Sequence, residues 1–292
     1  MQNVTPLAIA ALGLELAPAV LFGCIAERAA RVVGRWPAPV RVCVPALLVA
    51  SYLLISISQH MFRWAWFALY AALPVAIAWL LMRAAETDPE QRGDWRDWFI
   101  LLVLGLAVDL RWFDSAWPNG LRALNELFLV DAGLYGFLAI RRLSGTGYDF
   151  HLQWSDWKTG LQELIFFAPV VIVLGLALRF IHPHRNLPGI GSALLRWVGI
   201  FFFTAVPEEL FFRAWVQNLL ERRVGRIAAL VIASVLFGLS HFNKRSAHFN
   251  WPYVLLATIA GIFYGRAWRE QRRLPASTIT HASVDWIWGL WF

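Results

Sequence analysis

The chain has 292 residues, 59% of them hydrophobic, and a mean hydropathy of +0.55. Soluble domains hold about 45 to 50% apolar residues, so this composition excludes an ordinary soluble enzyme and indicates a multi-span membrane protein. The net charge of +7 lies mostly on arginines in short loops between apolar runs, not along one stripe, which argues against a nucleic-acid partner and for a lipid bilayer as the partner.

The first apolar run, about 7–25, follows Met-Gln-Asn-Val-Thr, which has no basic side chain; a retained spanning helix is expected there, not a cleaved leader. Further runs follow at about 40–58, 64–82, 98–113, 120–140, 160–180, 192–220, 226–242, 251–268 and 274–292. That is ten candidate spans in an all-α transmembrane bundle, each near bilayer-crossing length. The fourth and fifth, carrying Asp109, Glu126 and Asp131, have the most re-entrant or interfacial character. Cys24 and Cys43 lie in separate apolar runs with no ligand pattern beside them and read as small buried hydrophobes, without a disulfide or thiolate metal site.

Charge asymmetry supports the count. If all ten runs cross, alternate loops collect 17 basic residues on one side, among them Arg28, Arg31, Arg83, Arg141, Arg222 and Arg272. The opposite loops hold eight: Arg63, Arg111, Arg122, Arg179, Arg185, Arg196, Lys244 and Arg245. The positive-inside rule then places both termini outside the cytoplasm. One continuous membrane domain is expected, with a transmembrane extension over 1–160, whose spans read as mostly inert, and a functional core over 161–292.

That core carries polar groups at membrane depth, where each costs kilocalories unless paired or wet. Glu208-Glu209-x-x-x-Arg213 follows Pro207 in the seventh run. On a helix Glu209 and Arg213 meet at i,i+4 and neutralise each other, while Glu208 points about 100° away, unpaired and available for chemistry. Phe237-Gly-Leu-Ser-His241 ends the eighth run, and His281-Ala-Ser-Val-Asp285 places two polar side chains on one face of the last. Singly, His241 reads equally as an interfacial histidine, and His281 with Asp285 as a satisfied buried pair. Gly261-x-x-x-Gly265 in the ninth run reads as close helix packing. Hydrolysis inside a membrane needs a group to deprotonate water, a second to position it, and donors for the oxyanion; Glu208, His241, His281 and Asp285 are of the types that fill those roles.

These three motifs, in this order on hydrophobic helices, resemble the CPBP family: CAAX prenyl endopeptidases of the Ras-converting type, and bacteriocin-processing and self-immunity membrane proteins. The resemblance covers about 195–292, a third of the chain, and includes Val206-Pro207 before the glutamates. It implies an intramembrane endopeptidase acting on a membrane-associated peptide or protein, with no cofactor and no bound metal. Glu208 with His241 would activate water, His281 with Asp285 would stabilise the oxyanion, and Glu209 with Arg213 would support them. The family's last motif often ends in Asn; an ionised Asp285 only accepts hydrogen bonds, so its expected part is to orient His281. A metal-dependent peptidase, a proton- or ion-coupled transporter and a non-catalytic scaffold are the competing readings, the first because a Glu and two His can bind zinc.

Overall fold

The structure is a computed structural model that describes residues 5–121, 123–184, 187–246 and 248–292. Arg122 and Arg185, both counted in the charge asymmetry, lie outside the described residues. The described residues are all-helical, without a strand. Each of the ten apolar runs falls on one helical stretch: α1 (Pro6–Gly34), α2 (Ala38–Ser58), α3 (Trp64–Thr87), α4 (Trp95–Asp109), α5 (Ala123–Ile140), α6 (Trp154–Ala177), α7 (Ile190–Val224), α8 (Arg226–Leu239), α9 (Trp251–Gln271) and α10 (Leu274–Trp291).

Six of these, α1, α2, α3, α5, α6 and α7, are long and apolar enough to cross a bilayer. The fourth run, expected to be near bilayer-crossing length, folds into only 15 helical residues, and α8 has 14, against about 20 needed. The ninth and tenth have the length, 21 and 18 residues, but are not among the six. Helix length and apolarity therefore support six crossings, and the count of ten goes beyond them. Residues with outward-facing apolar side chains, such as Ile165, Val173, Leu195 and Ile227, form the lipid-compatible surface. Cys24 and Cys43 are also exposed, not buried as expected, because each lies on an outward face of its helix.

Contacts divide the chain into two units, one up to Ser144 and one from Gly145. In the first, Thr5 caps α1, its hydroxyl accepting the Ala8 N–H at 3.2 Å with Pro6 in the first turn. The packing is aromatic: Tyr52 stacks on Tyr70 at 5.1 Å, and Phe128 meets Tyr70 edge-on at 4.5 Å. Arg141, 2% exposed, bonds Asp97 at 3.0 Å and Asp88 at 2.6 Å, tying the end of α5 to the α3–α4 connection. These spans also hold buried polar groups. Glu15, Ser51 and Asp131 are buried on three different helices.

In the second unit α8, α9, α10 and α6 pack on one another. The expected close contact at Gly261 is present: an added Cβ would lie 3.0 Å from the Ser234 backbone, so glycine lets α9 approach α8. Gly160 lets α6 approach α10 in the same way, at Ala276 and Ile279. Arg273, just before α10, reaches Asp156 at 2.8 Å and Asp149 at 3.0 Å, joining the starts of α6 and α10.

Candidate active site

The 35 residues of α7 are not uniformly α-helical. Phe201–Ala205 and Leu210–Gln217 are π-helical turns on either side of the α-helical Val206–Glu209. Pro207 has no N–H to give and sits at the start of that short α segment, so the wide turn before it absorbs the missing bond and the chain runs on without a break. This places two adjacent carboxylates in different surroundings.

Glu209 and Arg213 are both fully buried, and Arg213 Nε donates to Glu209 Oε2 at 3.0 Å. The spacing argument holds here. Arg213 Nη1 and Nη2 have no hydrogen-bond partner among the described residues; the guanidinium instead lies over the Phe237 ring at 5.2 Å. Glu209 spends its other oxygen on α10, accepting a bond from His281 Nδ1 at 3.0 Å. Glu208 turns the other way and lines a cavity of about 180 Å³ together with His241, Lys244, Tyr253, His281 and Asp285. It is not unpaired, as the sequence suggested. Lys244 Nζ stands 3.6 Å from its Oε1, and His281 Nε2 stands 3.9 Å from its Oε2.

His281 is 3% exposed, its ring stacked on Tyr264 at 4.6 Å and edge-on to Phe237 at 5.7 Å. Both ring nitrogens face carboxylate oxygens: Nδ1 faces Glu209, and Nε2 faces Glu208 and also Asp285 Oδ2 at 3.6 Å. Carboxylates only accept, so the surroundings favour N–H on both sides of the ring. The expected i,i+4 pairing of His281 with Asp285 is present, but the hydrogen bond that orients the ring comes from Glu209.

His241 lies in the turn just after α8 and is buried. Its Nδ1 donates to the Phe237 carbonyl at 2.9 Å and lies 3.2 Å from Ser240 Oγ. A carbonyl cannot donate, so Nδ1 carries the proton and Nε2 is the basic nitrogen. The turn continues through Lys244 and is tied to the start of α9, where Asn250 Nδ2 donates to the Lys244 carbonyl at 3.0 Å. The far end of α10 is held against the start of α7: Trp286 Nε1 donates to the Ala193 carbonyl at 2.6 Å and Arg196 Nη1 to the Gly289 carbonyl at 2.8 Å. These ties fix Asp285 at the cavity wall. Apart from Thr204 and Tyr264, the remaining wall is apolar, with Phe167 and Val171 of α6, Leu256 and Ala260 of α9, and Trp288 of α10.

The structure thus brings Glu208, His241, His281 and Asp285 to one cavity, with Glu209 and Arg213 directly behind His281. Sequence reasoning missed Lys244, which it counted as a loop charge, and the two tyrosines. The signal for Lys244 was its place three residues after His241, one turn away.

Residues 190–287 match the sequence model of the family described as type II CAAX prenyl endopeptidase Rce1-like. This segment is similar to an Rce1-like domain. It runs from α7 into α10 and contains all six residues singled out from the motifs. No curated protein and no solved structure matches the chain. The Rce1-like segment begins after α6, although α6 supplies part of the cavity wall.

Proposed function

We propose that this membrane protein is an intramembrane endopeptidase that hydrolyses a peptide bond of a membrane-associated peptide or protein, with water activated by Glu208 and His241. Its similarity to an Rce1-like domain supports peptidase activity. The observation that carries the mechanism is the Glu208 carboxylate at one cavity with two imidazoles, His281 Nε2 at 3.9 Å and His241.

Water held between Glu208 and His241 Nε2 gives a proton to Glu208 as its oxygen attacks the carbonyl carbon. The carbonyl oxygen becomes an oxyanion and takes an N–H from His281. When the tetrahedral intermediate collapses, the C–N bond breaks, its electron pair stays on nitrogen, and Glu208 returns the proton to the leaving amine. Glu209 holds His281 through Nδ1, Arg213 neutralises Glu209, and Asp285 keeps the Nε2 side turned toward the cavity. Lys244 places a positive charge beside Glu208 at 3.6 Å.

The apolar wall suits a substrate segment that arrives from lipid. Because α6 contributes to it, the catalytic core is taken as 161–292 and the helices before it as an extension. If all ten helices cross, the excess of arginines in alternate loops supports cytoplasmic placement of those loops and both termini on the other side. Among the described residues no group of three or more His, Cys, Asp or Glu side chains is arranged to hold a metal ion. The test is a Glu208→Gln variant in cells: uncut membrane-proximal peptides accumulate while the protein inserts at parental levels. Cleavage equal to the parent's would defeat the assignment of the base.

A further inference from the structure

The helices before Ser144 hold two carboxyl groups that the peptidase reading does not use. Glu15 lies nine residues into α1 and Asp131 eight residues into α5. At 1.5 Å per residue, each is about 12 to 14 Å along its span, near the middle of a hydrocarbon layer about 30 Å thick. Each is 1% exposed. α1 packs directly on α2 and α5, and Ser51 of α2, also 1% exposed, donates its hydroxyl to Glu15 Oε1. On α5, which packs against α1, Asp131 stands with its carboxyl group beside that of Glu15. One oxygen on each, Glu15 Oε2 and Asp131 Oδ2, is buried and receives no donor from any described residue.

Two ionised carboxylates are acceptors only, so contact between them is a hydrogen bond only when one carries a proton. No arginine, lysine or histidine among the described residues pairs with either group to balance two negative charges. The titratable side chains near Glu15 are Tyr70 of α3 and, beside Tyr70, Tyr52 of α2. Tyr70 already donates to Asn125 Oδ1 at 2.7 Å and accepts from Trp117 Nε1 at 2.6 Å. Two carboxyls and one hydroxyl are too few oxygens for a hard cation; Ca²⁺ takes about six to eight. A proton needs only two.

We propose that Glu15 and Asp131 form a proton-binding site in the membrane-embedded amino-terminal unit, one proton being held between the two carboxyl groups with Ser51 orienting the acceptor. The site stands apart from the peptidase reading and does not rest on it. It gives α1 and α5 a contact that exists while the proton is bound and becomes a repulsion when the proton leaves.

Infrared spectroscopy of the full-length protein in lipid nanodiscs tests this directly. The spectrum of the parent minus that of the Glu15→Gln/Asp131→Asn double variant is expected to show one carboxylic-acid carbonyl band, shifted in heavy water and lost at alkaline pH. Two amides can donate to and accept from each other, so the double variant keeps the helix contact where a single variant leaves one carboxylate buried. A difference spectrum without a carboxylic-acid band overturns the proposal. So does a spectrum showing two carboxylates whose bands move on adding sodium chloride, which would assign the site to a metal cation.

Discussion

Replacing Arg213 with alanine separates the support of the site from its chemistry. Glu209 is fully buried with two partners, Arg213 at 3.0 Å and His281 at 3.0 Å. Removing one partner of a buried ion pair costs about 3 to 5 kcal/mol. His281 still donates to Glu209 in the variant, so the low end applies, about 3 kcal/mol, or roughly a hundredfold in the folded-to-unfolded ratio. Arg213→Lys keeps the charge but loses the flat contact over Phe237, about 0.5 to 2 kcal/mol. Thermal melting of the purified protein should therefore rank parent above Arg213→Lys above Arg213→Ala. A double variant, Glu209→Gln/Arg213→Met, removes both charges together and is expected to recover most of the melting temperature. It should not recover peptide cleavage, because His281 Nδ1 then faces a neutral amide in place of a carboxylate. Parental melting and parental cleavage in Arg213→Ala would refute the reasoning, and so would full activity in the double variant.

The other predictions concern the oxyanion donors, the helix contact and the polar start of the core. His281→Ala should lower cleavage by about 10² to 10³, as loss of an oxyanion donor does, and Asp285→Asn by much less, because the hydrogen bond that holds the ring comes from Glu209; steady-state kcat on one membrane peptide checks the order. Gly261→Leu should lower the melting temperature by an amount equivalent to about 1 to 3 kcal/mol, since the Ser234 backbone stands 3.0 Å from the added Cβ and cannot move aside. For Asp149, burial raises the carboxyl, but the His151 backbone N–H, the His151 ring and Arg273 more than offset it and hold it below its usual 3.8. Its stabilising effect is present above that ordinary value and lost as pH falls through the lower folded one. The parent should thus lose melting temperature below about pH 4, and Asp149→Asn should lose less over the same range.

Some of this organisation is legible in the residues. Charges inside apolar runs stand out by their cost, and i,i+4 spacing alone pairs Glu209 with Arg213 and His281 with Asp285. The small-residue pair Gly261 and Gly265 announces close packing. Other features carry no such mark. A 3.6-residue pattern cannot show that Leu210–Gln217 is wound as a π-helix, since the choice depends on how Pro207 and the neighbouring helices share bonds. Lys244 looks like any orientation-setting loop charge until the turn after α8 folds it back on Glu208. Glu15 and Asp131 each read as a lone acid in an apolar run, because only the packing of α1 on α5 reveals that they meet. The apolar runs 98–113 and 226–242 overstate helix length, since α4 ends at Asp109 and α8 at Leu239.

The most direct test of the account is cleavage of a membrane-anchored peptide by purified protein in nanodiscs, comparing the parent with Glu208→Gln by mass spectrometry in ¹⁸O-water. The account predicts a parental product whose new carboxyl terminus carries the label, and a rate in Glu208→Gln lower by about 10² to 10⁴, the contribution of a general base. Labelled product formed by Glu208→Gln at the parental rate would contradict it.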